Sequence, residues 1–283
     1  MASKRRSMSF RRRRSSSSVV SSPVIRKTHG AKESVFASLS VRASAAGRKS
    51  LYHLPMTPTR APLSDPVPRD PMPIVSRWLK DAWELRQQPN PNSMVLATTS
   101  ADGRPSARVV LCKDLIEEPG YLVFYTNYES RKGEELAAFP HAAAVMHWDQ
   151  LQRQVRITGP VTRSPAAESD AYFASRPWAS RIAAWASAQS RPIAARANLV
   201  AAVAAAARRF NAPDPAQPPP GDADFNIARP PHWGGYRLWA EGVELWQEGK
   251  SRIHDRFLWT RKLIPGGPEG FTGGAWSVAR LQP

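Results

Sequence analysis

Two hydrophobic periodicities follow each other along the chain after residue 73. From Ile74 to Gln87 apolar residues recur at helical spacing, which predicts an amphipathic helix. The period then shortens to two, and a turn composition at 101–104 separates the first two alternating segments. These segments predict five strands, over 93–100, 106–113, 121–127, 142–148 and 153–163. An antiparallel sheet of this kind avoids unpaired edge strands best by closing into a barrel.

Helical spacing returns over 164–175 and 194–210, and the second of these segments is rich in Ala. The Pro-rich segment from Asn211 to Pro231 predicts a surface loop, and three more strands are expected after it. The sequence therefore predicts an α+β domain that is mainly β, with helices flanking a barrel.

The net charge of +17 is concentrated near the N-terminus. Residues 1–60 hold 14 Lys and Arg and one acid, Glu33, whereas the rest of the chain has 26 basic and 22 acidic residues. This Ser- and Arg-rich segment has no long hydrophobic period, so we expect residues 1–65 to be a disordered tail and residues 66–283 to be the folded domain. Three interpretations of the tail stay open: an organellar transit peptide, translation from a start set upstream of Met56, and a basic arm for nucleic acid.

Location and redox chemistry are constrained by what the chain lacks. The sequence has no apolar run long enough to cross a bilayer, so we expect a cytoplasmic protein, or an organellar one if the tail is a transit peptide. The single cysteine, Cys112, excludes an internal disulfide framework, and its place in the apolar run Val109–Cys112 predicts a buried thiol. The histidines are too scattered for an obvious metal cluster, and we expect no metal.

A candidate anion site lies in "FYTNYESRKGEELAAF". Ser130 is a plausible N-cap for a helix that runs to Phe139, and Arg131 and Lys132 occupy its first turn. Cations at a helix N-terminus oppose the helix dipole unless an anion lies between them, and free backbone N–H groups there suit a phosphate. The alternative is that both side chains point into water.

A second candidate is the stretch "WQEGKSRIHDRFLW", Trp246 to Trp259, which reads as a β-hairpin. Alternation along its second strand would place Arg252, His254 and Arg256 on one face, with no acid between them. Such a row suits a phosphate or a carboxylate. The alternative is a solvated, cationic edge strand that discourages aggregation.

Three further polar residues flank or interrupt apolar strands. Arg108 and Lys113 are five residues apart, so they lie on opposite faces of a regular strand unless it ends near Lys113, and a salt bridge for each is the alternative. Gln154 alternates with Val155 and could present an amide to a polar ring inside the barrel. Because neither a glycine-rich nucleotide loop nor an evident acid, base or metal system is present, we expect a bound cofactor to carry the reaction.

Eight segments, in this order along the chain, resemble the pyridoxamine 5′-phosphate oxidase family over nearly all of residues 69–283: "SMVLATTSADGRPSARVVLCK", "LVFYTNYESRKGEELA", "RQVRITG", "SDAYFASRP", "AAWASAQSRPI", "RPPHWGGYRLW", "VELWQEGKSRIHDRFLWTR" and "WSVARLQP". The closing Arg-Leu-x-Pro and the block "RIHDR" are the most specific parts. The resemblance implies an FMN-binding split β-barrel and a homodimer with FMN between its subunits.

The resemblance also implies roles for individual residues. Arg252 and His254 would lie over the substrate's pyridine ring as the catalytic pair. FMN would be bound by Arg108, Lys113, Tyr125, Thr126, Arg131, Lys132, Gln154, Gln189, Ser190, Trp246 and Arg256, some of them from the partner subunit. The substrate phosphate would be bound by Lys113, Tyr172, Arg176 and Ser180.

The reaction implied is oxidation of pyridoxamine or pyridoxine 5′-phosphate to pyridoxal 5′-phosphate, with O2 as acceptor and H2O2 as by-product. Two alternatives stay open: a related flavin oxidase acting on another ring, such as a phenazine precursor, and a non-catalytic FMN- or pyridoxal phosphate-binding protein. A nucleic-acid partner would rest on the tail alone. The chain departs from the family at Cys112, in the Pro-rich loop over 211–227, and at a possible closing element, where only the distant "GRKSLY" of 47–52 is present.

Overall fold

Antiparallel strands make up most of the structure, a computed structural model that describes residues 63, 65–86, 88–215, 225–267 and 270–283. The basic tail, Met56, "GRKSLY" and part of the Pro-rich loop lie outside the described residues. The strands in the described residues are β1 (Ser93–Thr99), β2 (Pro105–Leu111), β3 (Asp114–Ile116), β4 (Tyr121–Asn127), β5 (His141–Trp148), β6 (Arg153–Arg163), β7 (Trp233–Trp239), β8 (Gly242–Gln247), β9 (Asp255–Thr260), β10 (Leu263–Pro265), β11 (Phe271–Gly273) and β12 (Ser277–Arg280). The helices there are α1 (Met72–Leu85), α2 (Arg131–Ala138), α3 (Ala166–Ala174), α4 (Trp178–Ala186) and α5 (Arg196–Arg209).

Ten of the strands form one curled antiparallel sheet, in which β6 is the shared member. Strands run in the order β12-β9-β8-β6-β5-β1-β2, and β6 also pairs with β7, which pairs with β4 and through it β3. The first half of β6 pairs with β8 over residues 153–158, and its last three residues pair with β7. Gly159 lies between the two halves, where an added Cβ would fall 2.0 Å from the carbonyl oxygen of Trp239. This close approach of β6 and β7 lets the sheet curl, and the prediction of a mainly β domain with a barrel is confirmed.

The concave side of the sheet holds the main core. Its fully buried members include Leu96, Phe124, Ile157 and Trp259, and α1 covers one end of the barrel with an apolar face that includes Ile74. The helix predicted from the apolar spacing of 74–87 is thus confirmed.

An ion pair fixes α1 to the barrel. Arg153 Nη1 donates to Asp81 Oδ2 at 2.6 Å, and the guanidinium of Arg153 stacks over the ring of Trp78 at 4.9 Å. The first residue of β6 thereby joins this helix to the sheet.

A second, smaller core lies beneath α3, α4 and α5. Phe173, Ile182, Ala207 and Trp233 are buried there, so the helices meet the start of β7. The two helices predicted over 164–175 and 194–210 are confirmed as α3 and α5. The prediction missed α4 and the three-residue β3, and three of the strands after Pro231 were not anticipated, because β10, β11 and β12 are only three or four residues long.

The hairpin prediction for 246–259 was wrong at its turn. The β8–β9 ladder closes at Gln247 paired with Asp255, which leaves a loop of residues 248–254 that we call the hairpin loop. Glu248 N donates to Gln152 O at 3.0 Å, outside the ladder, and Ser251 and Arg252 take left-handed φ values of 56° and 65°. Since β9 begins only at Asp255, Arg252 and His254 do not alternate with Arg256 along one strand face.

No helix within the described ranges combines the length and apolarity that a membrane-spanning segment needs.

Candidate functional site

The first group of candidate residues surrounds the start of α2. Ser130 has extended backbone geometry and accepts a hydrogen bond from Gly133 N at 3.4 Å, so the predicted N-cap is confirmed. An added Cβ at Gly133 would fall 2.0 Å from the carbonyl oxygen of Tyr128, which explains a glycine inside this helix. The close packing fixes α2 against the loop that follows β4.

Lys132 points into the protein rather than into water. It is 8% exposed, and Nζ donates to Thr126 Oγ1 at 3.0 Å, Ser130 Oγ at 3.2 Å and Gln189 Oε1 at 2.8 Å. Burial, reinforced by the charge of Arg108 and opposed by that of Glu135, lowers the pKa of Lys132 to about 8. The name α2 cluster is used below for this group: Arg108, Thr126, Ser130, Arg131, Lys132, Glu135 and Gln189. The alternative that both basic side chains point into water was wrong for Lys132, whereas Arg131 is 64% exposed.

Glu135 is the acidic member of the α2 cluster. Its buried carboxylate accepts hydrogen bonds from four side chains: Thr98 at 2.5 Å, Ser106 at 2.7 Å, Arg108 at 3.0 Å and Arg131 Nε at 2.9 Å. Burial alone would raise the pKa of Glu135, but these donors outweigh it and hold the pKa at about 2. The salt-bridge alternative for Arg108 is therefore correct in this protomer.

A second group, which we call the aromatic cluster, lies where β4 meets α3. The rings of Tyr125 and Tyr172 stack at 3.9 Å between centroids, and Trp233 lies nearly parallel to both. Glu168 accepts hydrogen bonds from Tyr125 Oη at 3.4 Å and from Arg237 Nη2 at 2.6 Å. Burial, with help from Glu168, raises the pKa of Tyr125, so this hydroxyl stays protonated.

Two cations face the aromatic cluster. Lys113 Nζ lies 5.8 Å from the centre of the Tyr172 ring, and the Arg176 guanidinium lies 4.7 Å from that of Trp233. Arg176 Nη1 is buried and has no hydrogen-bond partner among the described residues. A buried guanidinium nitrogen without an acceptor suits an incoming anion. Ser180 lies one turn into α4, shortly after Arg176.

Lys113 and its neighbour Cys112 stand just beyond β2. Because that strand ends at Leu111, Arg108 and Lys113 are not held to opposite faces of one strand. Cys112 Sγ donates to Asp114 O at 3.1 Å, and burial raises the pKa of the thiol to about 12. The prediction of a buried thiol is confirmed.

A third group forms a row on the outer face of the sheet. In register, Gln154 on β6 is opposite Trp246 on β8, which is opposite Arg256 on β9. The expectation that Gln154 points into the barrel was wrong: the interior position belongs to Val155, which is 1% exposed, because neighbouring strand residues point to opposite faces. We call Gln154, Trp246 and Arg256 the outer-face row.

Arg256 is oriented by an acid next to this row. Its Nε and Nη2 donate to Glu244 Oε1 at 3.1 and 2.8 Å, and Arg156 contacts the other oxygen of Glu244 at 3.2 Å. Glu244 is 4% exposed, so two guanidiniums compensate one buried carboxylate.

His254 connects the outer-face row with the hairpin loop. Its ring lies 4.8 Å from the ring of Trp246, and Nδ1 accepts a hydrogen bond from Gly249 N at 3.1 Å. In the neutral ring the proton is therefore on Nε2. Arg252 and Ser190 are both exposed and both have left-handed φ values.

Sequence reasoning missed four residues that organise these groups: Glu135, Glu168, Trp233 and Glu244. Only Glu135 carried a local signal, since it is four residues after Arg131 on a predicted helix. The others act through partners that are distant in sequence.

Comparison with known proteins agrees with this architecture. Residues 82–209 match the family described as pyridoxamine 5′-phosphate oxidase, and residues 233–283 match the pyridoxine 5′-phosphate oxidase C-terminal dimerisation region. A pyridoxine/pyridoxamine 5′-phosphate oxidase of Burkholderia lata is 47% identical over 83% of this chain and 99% of its own length. One of Paraburkholderia phymatum is 50% identical over 76% of this chain and 90% of its own length.

Two solved structures are similar in fold. PhzG from Burkholderia lata, in complex with tetrahydrophenazine-1-carboxylic acid, superposes with a TM-score of 0.66 at 28% identity and covers 81% of this chain and 100% of that one. A pyridoxamine 5′-phosphate oxidase-related, FMN-binding protein from Nostoc punctiforme gives 0.53 at 17% identity over 75% and 96% of the two chains, which supports the fold alone. The fold is thus that of an FMN-binding split β-barrel, and its cationic groups suit anionic ligands. With relatives this similar over most of its length, the chain belongs to the pyridoxamine 5′-phosphate oxidase family.

Proposed function

We propose that the chain oxidises pyridoxamine 5′-phosphate and pyridoxine 5′-phosphate to pyridoxal 5′-phosphate. The observation that carries this proposal is the pairing, in one protomer, of two separate cationic groups, the α2 cluster and the aromatic cluster. A cofactor phosphate and a substrate phosphate need one such group each. A non-catalytic flavin-binding protein would need only the first.

The α2 cluster fits the phosphate of FMN. Lys132, Arg131 and Arg108 supply positive charge, and a bound phosphate would raise the lowered pKa of Lys132 toward its usual value. The contacts described for Arg131 use Nε, which leaves both terminal nitrogens for a ligand. The backbone N–H groups at the start of α2 would face the FMN phosphate. The same part of the proposed FMN site would include Thr126, Gln189 and Ser190.

The aromatic cluster fits the substrate phosphate. Arg176 would donate its unpartnered Nη1, and Lys113 would add a second charge from the strand end. Tyr172 and Ser180 would complete the contacts, and Tyr125 and Lys113 would lie between substrate and cofactor. The stacked rings hold both cations in place before any ligand arrives.

The positions of the other residues expected to bind FMN favour a site formed by two copies of the chain. Arg108 is opposite Leu96 and so shares the core-facing side of the sheet, whereas the outer-face row lies on the other side. One flavin between subunits could contact the α2 cluster of one protomer and Gln154, Trp246 and Arg256 of its partner.

The same outer face carries an open apolar row suited to a second subunit. Val109, Val95 and Val145 are opposite one another on β2, β1 and β5, and Val109 is 65% exposed. The C-terminal match to a dimerisation region agrees with a homodimer.

FMN held by the α2 cluster and by the outer-face row of the partner would supply two-electron redox chemistry, with O2 as the final acceptor and H2O2 as by-product. The amino group of pyridoxamine 5′-phosphate would leave as ammonia, with water supplying the aldehyde oxygen. The protein's part is orientation and charge compensation. Arg252 and His254 would lie over the pyridine ring, where His254 would offer its Nε2 proton as a hydrogen-bond donor. The hairpin loop brings both residues next to Trp246.

The test is aerobic conversion by the purified full chain after reconstitution with FMN. Pyridoxine 5′-phosphate and pyridoxamine 5′-phosphate are supplied in separate assays, and pyridoxal 5′-phosphate is followed by absorbance with H2O2 measured in parallel. Product with matching peroxide supports the proposal. Bound FMN without product from either substrate would contradict it.

A second candidate is oxidation of a phenazine precursor, which the similarity to the structure of PhzG favours. The same assay with a reduced phenazine carboxylate in place of the B6 phosphates separates the two. Because such a substrate carries no phosphate, its turnover would be insensitive to Arg176→Met, whereas turnover of the B6 phosphates would lose about tenfold or more in kcat/KM.

We further propose residues 66–283 as the oxidase domain, to which Leu63, buried in the main core, and Asp65, paired with Arg280 at 3.0 Å, also contribute contacts. A chain shortened to begin at Met56 would then keep both FMN affinity and turnover.

A further inference from the structure

Glu135 holds a position that the proposed contacts to FMN do not explain. Its carboxylate is 4% exposed and lies among three cationic residues that are proposed to bind a negatively charged group. A buried acid at an anion site opposes the ligand's charge, so its presence needs a reason. The arrangement of its donors supplies one.

The two arginines use different nitrogens toward Glu135. Arg131 donates through Nε at 2.9 Å, and its two terminal nitrogens take no part in the contacts described with the carboxylate. Arg108 is held more completely: Nη1 donates to Leu96 O at 3.1 Å and Thr98 Oγ1 at 2.5 Å, and Nη2 donates to Ser106 Oγ at 2.5 Å and Glu135 Oε2 at 3.0 Å. Both terminal nitrogens of Arg108 are therefore engaged by protein.

The two hydroxyls also donate to Glu135. Thr98 and Ser106 are directly opposite each other on β1 and β2, and each accepts from Arg108 while donating to the carboxylate. The acid is thus the common acceptor of two strands and of the first turn of α2. Charge-assisted hydrogen bonds of this kind fix planar groups in orientation.

We propose that Glu135 is a positioning residue for the cofactor phosphate: it fixes the side chain of Arg131 and ties the first turn of α2, with its free N–H groups, to the β1–β2 edge through Arg108. The inference rests on the proposed binding of FMN at α2. It assigns to Glu135 no contact with the cofactor itself. Its effect is therefore expected on ligands that carry the phosphate and not on those that lack it.

The experiment compares FMN with riboflavin, which has the same ring and no phosphate. Dissociation constants of both are measured by flavin fluorescence on the cofactor-free full chain, for the unaltered protein and for Glu135→Gln. We expect FMN to bind about tenfold more weakly to Glu135→Gln, with riboflavin affinity unchanged. General damage to the fold would weaken both ligands alike.

Glu134→Gln is the matched control. Glu134 precedes Glu135 on α2 and is 52% exposed, and it pairs with Arg191 rather than with the two arginines of the α2 cluster. The same charge is removed one position away, so FMN affinity should change less than twofold. If Glu134→Gln matches Glu135→Gln, the effect is one of net charge and the proposal is wrong.

The other possible outcomes also test the positioning role of Glu135. Tighter FMN binding by Glu135→Gln would make the acid a competitor of the phosphate and overturn the proposal. No preference for FMN over riboflavin in the unaltered protein would contradict the proposed function itself. If Glu135→Gln does not fold, Ser106→Ala, which removes one donor without changing charge, should weaken FMN about threefold and leave riboflavin unaffected; no change there would refute the positioning role.

Discussion

The α2 cluster and the hairpin loop are both cationic, yet they are built in opposite ways. In the α2 cluster the buried ammonium of Lys132 has three hydrogen-bond partners, and Glu135 has four donors. In the hairpin loop Arg252 is exposed with left-handed backbone geometry, and Ile253 is 74% exposed. One region is organised before a ligand arrives, and the other is organised only in part.

The difference indicates how binding and reaction are divided between them. A group that must hold a cofactor through many turnovers gains from fixed donors, because little order is then lost on binding. A loop that must admit and release substrate needs fewer fixed contacts. We therefore expect variants in the α2 cluster to act on FMN affinity, and variants in the hairpin loop to act on turnover.

Replacing Arg252 in the hairpin loop is expected to give the largest effect that tests this division. Arg252→Ala is expected to lower kcat by about 100-fold, since a donor near the reacting ring is lost, while FMN affinity stays within twofold. Turnover is measured as pyridoxal 5′-phosphate formation at saturating FMN, and flavin content after gel filtration. Equal loss of both quantities would refute the division.

The converse variant is Arg131→Ala. We expect the dissociation constant for FMN to rise about 20-fold, because a charge-assisted contact to phosphate is lost, while kcat at saturating FMN changes less than threefold. Arg104→Ala is the control, since Arg104 is an exposed arginine that pairs with Asp102 on the β1–β2 turn. A weaker FMN complex in the control would mean that overall charge, rather than α2, sets the affinity.

The pH dependence of FMN affinity sharpens the comparison further. Lys132 has a pKa of about 8 in the cofactor-free protein, and binding a phosphate dianion favours its protonated form. Above pH 7, where the phosphate is a dianion, FMN affinity should fall as the pH rises through 8, by about tenfold between pH 7 and pH 9. Titration of flavin fluorescence at each pH measures this.

The matched variant is Lys132→Arg, because a guanidinium keeps its proton across this range. Its FMN affinity should be flat from pH 7 to pH 9. The same decline in both proteins would show that Lys132 is not the titrating group.

The smallest expected effect concerns Cys112, which directly precedes Lys113. With its pKa raised to about 12, roughly one thiol in 10,000 is ionised at pH 8, so iodoacetamide should leave the folded protein unmodified and fully active. Mass spectrometry follows the label, and urea-unfolded protein provides the reactive control. Modification of the folded protein at the unfolded rate would mean that the strand end carrying Lys113 opens in solution.

Periodicity predicted the parts of the fold where one face is buried along a whole element. The strands β1, β5 and β6 and the helix α1 have that property, and the cap at Ser130 had its own sequence signal. The other two predicted strands differ: exposed and half-buried positions alternate in β2, and β4 is buried on both faces. The short β3 and β10 to β12 have too few residues for a period to show. The predicted turn of the hairpin was wrong because backbone N–H groups of the hairpin loop donate outside the ladder, as that of Glu248 does to Gln152.

Sequence reasoning named candidate residues for the site but not the contacts between them. Thr98 and Glu135 are 37 residues apart, and Tyr125 and Glu168 are 43 apart, so no local pattern joins them. The side of the sheet on which Gln154 lies depended on which of two alternating positions the core takes, and sequence alone favoured the wrong one. The strand register in the structure, and not the hydrophobic periodicity, shows on which face of the sheet Gln154 lies.

The shared strand β6 has a further consequence for how this chain tolerates change. Because its two halves pair with different strands, a deletion of one residue before Gly159 would exchange the inward and outward positions of the first half while the second half keeps its pairing with β7. Val155 and Gln154 would trade environments, and the ion pair of Arg153 with Asp81 would be lost at the same time. The length of this segment is therefore constrained from both ends.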